Sequence, residues 1–330
     1  MTTLTSPLSF AGLTLRNRIA MPPMWSGKAS PDGCVTDANV EYHRVRAAAG
    51  CGLVIVEHAF VHPRGRHSGT QLGVHADACL PGLTRLASAI RAEGSVACLQ
   101  ISHAGSRTGS RITGGLRPLA PSAIVSPRDP KGEVPEAASP AQIAEMAWAF
   151  ADAASRAQQA GFDAVEIHAA HGFLLSQFLS PLTNVREDDW GGDENRRGRA
   201  PLDVLAAVRA RVGLPYPVFV RLGAHDELPG GLQLDAAVRM AARLADAGAA
   251  LIDISGGMAG SDDPGRGPGY FVAYAEAMKR MVRVPVMVAG GIADPDHANR
   301  IVTSGQADVI GIGRAMLENP EWARTALTLG

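Results

Sequence analysis

The sequence predicts an α/β fold, a single (β/α)8 barrel, and three observations carry that prediction. Eight short apolar, β-branched runs recur along the 330 residues, at 19–24, 53–61, 96–104, 164–170, 217–223, 251–257, 285–291 and 308–313. Amphipathic stretches with helical spacing fill the gaps between them. The runs are nearly continuous in apolar residues, as strands are when helices cover a parallel sheet. Eight successive right-handed strand–helix units close most naturally into a TIM barrel, with an open doubly wound sheet as the alternative.

The elements follow in chain order. LSFAGLTLRNR (8–18) reads as a hairpin turning at Ala11-Gly12 and set to plug the barrel floor. A helix over about 37–49 opens at Asp37 as its N-cap. The segment 105–138 holds glycine pairs and prolines and few long apolar runs, so it is a long loop excursion after the third strand, above the active face. Ser139-Pro140, a cap followed by proline at the first helical position, opens a helix over 139–160. Further helices are expected near 195–213, 233–247, 270–282, 294–304 and 314–327. Gly161, Gly213, Gly248 and Gly305 stand where helices should stop. No long linker interrupts the pattern, which predicts one domain over 1–330.

Composition narrows the function. Hydrophobic residues at 46% and charged residues at 19% exclude a disordered chain. A net charge of −1 with no long basic run disfavours nucleic acid and polybasic membrane binding. No apolar run approaches the roughly twenty residues of a membrane span. MTTLTSPLSF has neither a basic nor an apolar leader segment, and Cys34, Cys51, Cys79 and Cys98 are far apart without a CxxC. A reduced, cytoplasmic protein without a thiolate metal site or iron–sulfur cluster is expected.

A barrel carries its site at the C-terminal ends of its strands. Those ends hold Pro23, Met24 and Trp25; Glu57 and His58; Gln100 and His103; His168 and His171; Arg221; Gly290 and Gly291; Gly313 and Arg314. Glu57 is the one obvious carboxylate, so metal-assisted or paired-carboxylate hydrolysis fits poorly. The set suits a polar planar cofactor. AGGI (289–292) and GIGR (311–314) lie at adjacent strand ends, where glycines and Arg314 favour a phosphate over simple turns. His168 and His171 converge only if their strand ends near Ala169. They would then offer N–H donors to one substrate oxygen; the alternative is one structural and one exposed histidine. No carboxylate or thiolate stands at a ligand spacing beside them, so no metal is expected. Arg221, buried in a barrel mouth, needs an anion, and a reduced flavin edge would provide one. Gln100, donor and acceptor at once, suits a pyrimidine edge.

NRIAMPPM (17–24), the segment 35–66, QISHAG (100–105), EIHAAHGFLLSQFLSPLTN (166–184), the WGG and ENR of 190–196, VRLG (220–223), AGGI and GIGR together resemble the Old Yellow Enzyme family of FMN-dependent NAD(P)H oxidoreductases, over nearly the whole chain. The resemblance implies tight, non-covalent FMN, with NADH or NADPH as reductant. Pro23, Met24 and Trp25 would line the flavin ring, with His58 near its pyrimidine side. Gln100 and Arg221 would bond the isoalloxazine. His168 and His171 would touch the flavin edge and bind a substrate carbonyl. Gly290, Gly291, Gly313 and Arg314 would hold the phosphate. The implied reaction is ping-pong: NAD(P)H reduces FMN and leaves, and a hydride then passes to the β-carbon of an α,β-unsaturated carbonyl compound, a small molecule. A homo-oligomer is compatible with the pattern.

The departures are specific. The residue after HG is usually a proton-donating tyrosine; here it is Phe173. The position after PPM is usually threonine or cysteine; here it is Trp25. A tyrosine found two residues further on in one branch is replaced by Gly27. The C-terminal arginine extension of some relatives, and the cluster and second nucleotide domain of the large dienoyl-CoA reductases, are not expected. Phe173 points to a substitute acid, for which Tyr270 is the nominee, or to a desaturase, dehydrogenase or isomerase reaction on a cyclic carbonyl compound. Trp25, either a packing residue or a wall for a flat substrate, raises a third option, a flavin-binding barrel without catalysis.

Overall fold

The structure, a computed structural model, describes residues 2–261 and 267–328. In chain order it contains a hairpin, β1 (Leu8–Phe10) and β2 (Leu13–Leu15), then β3 (Ile19–Met21), α1 (Asp37–Ala48), β4 (Leu53–Phe60), α2 (Leu80–Ala92) and β5 (Val96–Ser102). The excursion contributes only β6 (Leu119–Ala120) and β7 (Glu136–Ala137). There follow α3 (Pro140–Gln159), β8 (Ala164–Ala169), α4 (Leu174–Leu179), α5 (Glu194–Arg197), α6 (Arg199–Val212), β9 (Val218–Gly223), α7 (Leu234–Asp246) and β10 (Leu251–Ser255). The chain ends with α8 (Val272–Lys279), β11 (Val286–Ala289), α9 (Pro295–Thr303), β12 (Val309–Gly311), α10 (Arg314–Glu318) and α11 (Trp322–Thr328). Strands β3, β4, β5, β8, β9, β10, β11 and β12 form a closed parallel barrel, β12 pairing back onto β3. The barrel is the predicted one, and the open sheet is excluded.

The hairpin turns at Ala11 (φ 46°) and Gly12 (φ 79°), the left-handed pair that matches strand twist. Its Leu8, Phe10 and Leu13 pack on a layer formed by Leu15, Leu53, Phe219, Leu251, Met287 and Val309, with the Phe10 and Phe219 rings 5.8 Å apart. Each such buried side chain stabilises the fold by roughly 1.5–3 kcal/mol, and together they seal the floor.

Side chains alternate across each strand. Leu99, Val165, Val220 and Ile252 face the helices, while Cys98, Ala164, Phe219 and Leu251 belong to the inner cluster. Two residues further up, the same inner face therefore carries Gln100, Glu166, Arg221 and Asp253, all buried. The barrel interior is apolar below and ionisable above, and that boundary positions the site.

Three helix boundaries differ from expectation. Thr36, not Asp37, caps α1: its hydroxyl accepts from the Asn39 N–H (3.3 Å), and the Asn39 side chain accepts from the Thr36 N–H (3.0 Å). The helix expected at 195–213 breaks at Gly198, where a Cβ would lie 2.8 Å from the Met240 sulfur and closer still to Arg243. The helix expected at 314–327 breaks at Asn319-Pro320, since proline disfavours helical geometry in the residue before it. Among the described residues no helix is long and apolar enough to cross a membrane.

Candidate active site at the barrel mouth

Arg221 and Asp253 are register partners on adjacent strands. Their Nε and Oδ2 stand 3.0 Å apart, yet neither group is aligned for a hydrogen bond, so the pair is held by charge. A second Arg221 nitrogen donates to Ser255 Oγ at 3.3 Å. Gln100 donates to Glu166 Oε1 at 2.8 Å, and Glu166 Oε2 has no partner. Burial pushes both carboxyls up; the charge of Asp253 raises Glu166 further, whereas Arg221 pulls Asp253 back down. Within the protein, Asp253 supplies an anion to Arg221 and Glu166 engages Gln100. One reading is corrected: the site has more than one carboxylate, because Glu166 and Asp253 are also buried there. Glu57 is a fastener: it accepts from the Ser26 N–H and hydroxyl and from Asn39, tying the loop after β3 to β4 and α1.

Strand β8 ends at Ala169, the condition for the two histidines to converge. Their rings are 4.9 Å apart and steeply inclined. His168 pairs in register with Arg221. His171 adopts φ 58°, a left-handed conformation costing roughly 1–2 kcal/mol. Three contacts hold it there: its N–H donates to Gly256 O (3.0 Å), Arg107 donates to its carbonyl (2.7 Å), and its Nε2 meets Ser255 Oγ (2.6 Å). Strain maintained by so many anchors marks a position fixed for use. Burial, then the positive charge of Arg221, pushes both imidazoles well below the ordinary histidine value, so both are neutral at pH 7. His58 is likewise pushed down to about 3, chiefly by burial. His168 Nδ1 and His58 Nε2 are buried without a hydrogen-bond partner, which a bound polar molecule would relieve.

A cavity of about 460 Å³ runs from Arg221 and Ser255, at the inner end, to Gly290, Gly291, Gly313 and Arg314 at the rim. Gly290 (φ 141°) and Gly291 (φ 66°) take conformations closed to most side chains. Pro22 and Met24 line this cavity and Pro23 does not. Trp25, 52% exposed, is likewise absent from its walls. A glycine-lined rim carrying Arg314, joined to a polar inner end, fits a phosphate at one end and a planar heteroaromatic ring at the other. Gly311 is a packing glycine, since a Cβ there would meet Met287 and Ala289 at 2.8–2.9 Å.

Tyr270 belongs to the rim. Its ring lies against Gly290 and Gly291, its hydroxyl donates to Ser261 O (3.0 Å), and Arg314 donates to it (3.0 Å). Phe173, by contrast, is in ring contact with His168 (4.7 Å), His58 (5.3 Å) and His67 (5.4 Å), and the Arg107 guanidinium lies 5.3 Å from its centroid. The tyrosine nominated as acid is thus engaged at the glycine turn. His103, buried against Gly65, stacks with His62. Sequence reasoning missed Glu166, Asp253, Ser255, His67 and Arg107. Period-two alternation from His168 would have found Glu166; Asp253 and Ser255 share a face of β10, a strand carrying no sequence-predicted site residue, and His67 and Arg107 lie on loops with no periodic signal.

A family model described as the NADH:flavin oxidoreductase / NADH oxidase family matches residues 3–328. The NADH oxidase of Thermoanaerobacter brockii is 38% identical over 320 residues, which cover 95% of this chain and 49% of that one. The NADPH dehydrogenase of Geobacillus sp. is 37% identical over 326 residues, 98% of this chain and 94% of that one. This chain therefore spans about half the length of the first relative and nearly all of the second. An old yellow enzyme homologue from Zymomonas mobilis superposes with a TM-score of 0.86 at 27% identity, covering 99% of this chain and 93% of the other.

Proposed function

The chain belongs to the NADH:flavin oxidoreductase / NADH oxidase family, and from that premise we propose that it uses FMN and NAD(P)H to reduce the activated C=C bond of an α,β-unsaturated carbonyl compound. The observation that carries this reading is the His168–His171 pair, two neutral imidazoles 4.9 Å apart, with His171 bonded to Ser255 and His168 in strand register with Arg221, the two residues at the inner end of the cavity. Bound FMN would supply the hydride, accepting one from NAD(P)H and passing one on. The rim residues Gly290, Gly291, Gly313 and Arg314 would hold its phosphate, while Pro22, Met24 and Arg221 would face its ring. Neutral imidazoles donate N–H bonds to a carbonyl oxygen without carrying charge into the resting site. Those bonds strengthen as negative charge develops on the oxygen, which lowers the barrier to hydride arrival.

The test is anaerobic. NADH or NADPH should bleach the yellow protein, and cyclohexenone should restore the colour. His168→Ala with His171→Ala should abolish re-oxidation by the enone and weaken binding of phenols, which imitate the enolate. A protein bleached normally but never re-oxidised by any enone would discard ene-reduction. Phe173 supports a second reading. A phenyl ring cannot deliver the proton that completes reduction. Dehydrogenation of a saturated cyclic ketone by the oxidised enzyme would establish that direction instead.

A further inference from the structure

Positive charge gathers at the barrel mouth beside Phe173 without an ion-pair partner among the described residues. We propose that Arg107, assisted by Arg128, anchors an anionic group, carboxylate or phosphate, on the molecule that accepts the hydride. This inference rests on the oxidoreductase reading and names its substrate class.

Arg107 begins the excursion after β5. Its side chain packs along Gly172, where a Cβ would stand 3.4 Å from Arg107 Cδ, and its guanidinium lies over Phe173. One nitrogen donates to the His171 carbonyl at 2.7 Å, which fixes the guanidinium beside the carbonyl-binding pair. Its other nitrogens have no hydrogen bond within the protein, nor are they among the sealed, partnerless atoms, so they keep contact with solvent. Arg128 packs on Gly260 so closely that a Cβ there would overlap its guanidinium. The two arginines repel: burial first, and Arg128 second, push Arg107 down to about 10, still charged at pH 7.

Neither arginine has a carboxylate within ion-pair distance among the described residues. Two other arginines around the same excursion, Arg64 and Arg186, half-buried like Arg107, are paired with Glu136 and Asp188. Among the described residues, the buried carboxylates Asp253, Glu166 and Glu57 are committed to Arg221, Gln100 and Ser26. The imidazoles of His58, His67, His168 and His171 are all pushed toward neutrality. A half-buried guanidinium with free donors and no counter-charge is the geometry of a bidentate anion site.

The same chemistry could receive the phosphates of NAD(P)H, so the test has two arms. In the holoenzyme, anaerobic re-oxidation is compared for cyclohexenone and a cyclohexenone bearing a ring carboxylate, and flavin reduction is measured separately with NADPH and NADH. The carboxylated enone should be preferred, and Arg107→Met should reduce that preference about 10- to 100-fold, with Arg107→Lys retaining part of it. Arg128→Met should cost less. A readout free of turnover is the perturbation of the oxidised flavin spectrum by 4-hydroxybenzoate and by phenol, whose affinity ratio should fall by the same factor. An unchanged ratio in Arg107→Met would overturn the proposal. So would slower reduction by NAD(P)H with the acceptor ratio intact, which would assign the anion to the reductant. If NAD(P)H fails to bleach the flavin, the oxidoreductase reading fails, while the ligand ratio still decides the role of Arg107.

Discussion

A side chain without a proton stands at position 173, inside a ring of groups that have protons to exchange. His58, His67, His168 and Arg107 all touch Phe173. Phe173→Tyr should therefore accelerate re-oxidation by simple enones, by up to about 10²–10⁴-fold if proton delivery limits it, and leave flavin reduction nearly unchanged. Stopped-flow measurement of the two half-reactions separates these outcomes; no gain would mean that another group or solvent already serves as acid. At this scale legibility was uneven. His168, His171, Gln100 and Arg221 could be read because they end strands in recognisable segments. Glu166 and Asp253 were hidden inside apolar runs, AVEIHAA and LIDISGG, where a charge reads as an exception rather than as an inward-facing position. The bonds of the Tyr270 hydroxyl to Ser261 and Arg314 could not be read, because loop position says nothing about where a hydroxyl points.

All eight barrel strands were legible as elements, since a buried parallel strand writes itself as an unbroken apolar run. Helix α2 was not among the expected helices. It begins Leu80-Pro81-Gly82, which reads as a turn, although Leu83, Leu86, Ala87 and Ile90 carry a helical stripe. What joins the elements is less visible still. Asp226, in the loop after β9, accepts from Ser180 Oγ (2.6 Å), Leu232 N–H (2.7 Å) and Met258 N–H (2.8 Å). It thereby clasps the loops that follow three consecutive strands. Asp226→Ala leaves those donors unpaired in a buried place and should destabilise the protein by about 3 kcal/mol, measurable by urea unfolding. It should also loosen the segment carrying Ser255, so that ligand affinity falls along with stability. Loss of less than about 1 kcal/mol, smaller than one such bond normally costs, would show that the clasp is redundant.

Over the whole molecule the buried histidines dominate the response to acid. Eight of the ten are pushed below their ordinary value, burial being the first cause in each. The unfolded chain therefore takes up protons below about pH 6.5 that the folded protein refuses. Their contribution is complete above that pH and is lost as pH falls, at roughly 1.4 kcal/mol per pH unit for each histidine held neutral. Glu57, Glu166, Asp226 and Asp253, pushed up by burial, act with the opposite sign. They are half as many, so the urea midpoint should drop steeply between pH 6.5 and 5. A flat or rising midpoint across that window would contradict the neutrality assigned to the site histidines. At this scale the sequence was most legible, because the segments that resemble Old Yellow Enzymes are spread over nearly every strand end, and that resemblance stands.

The pairing of Ile310 with Ile19 has a consequence in time. β3 is the first barrel strand to be synthesised, and the partner for one of its edges is the last. At about 5–20 residues per second, the stretch between them takes on the order of 15–60 s to appear. Throughout that interval the nascent sheet keeps an unpaired edge, open to any other extended chain nearby. Until β12 emerges, protection of that edge falls to the ribosome and to whatever holds unfinished chains apart.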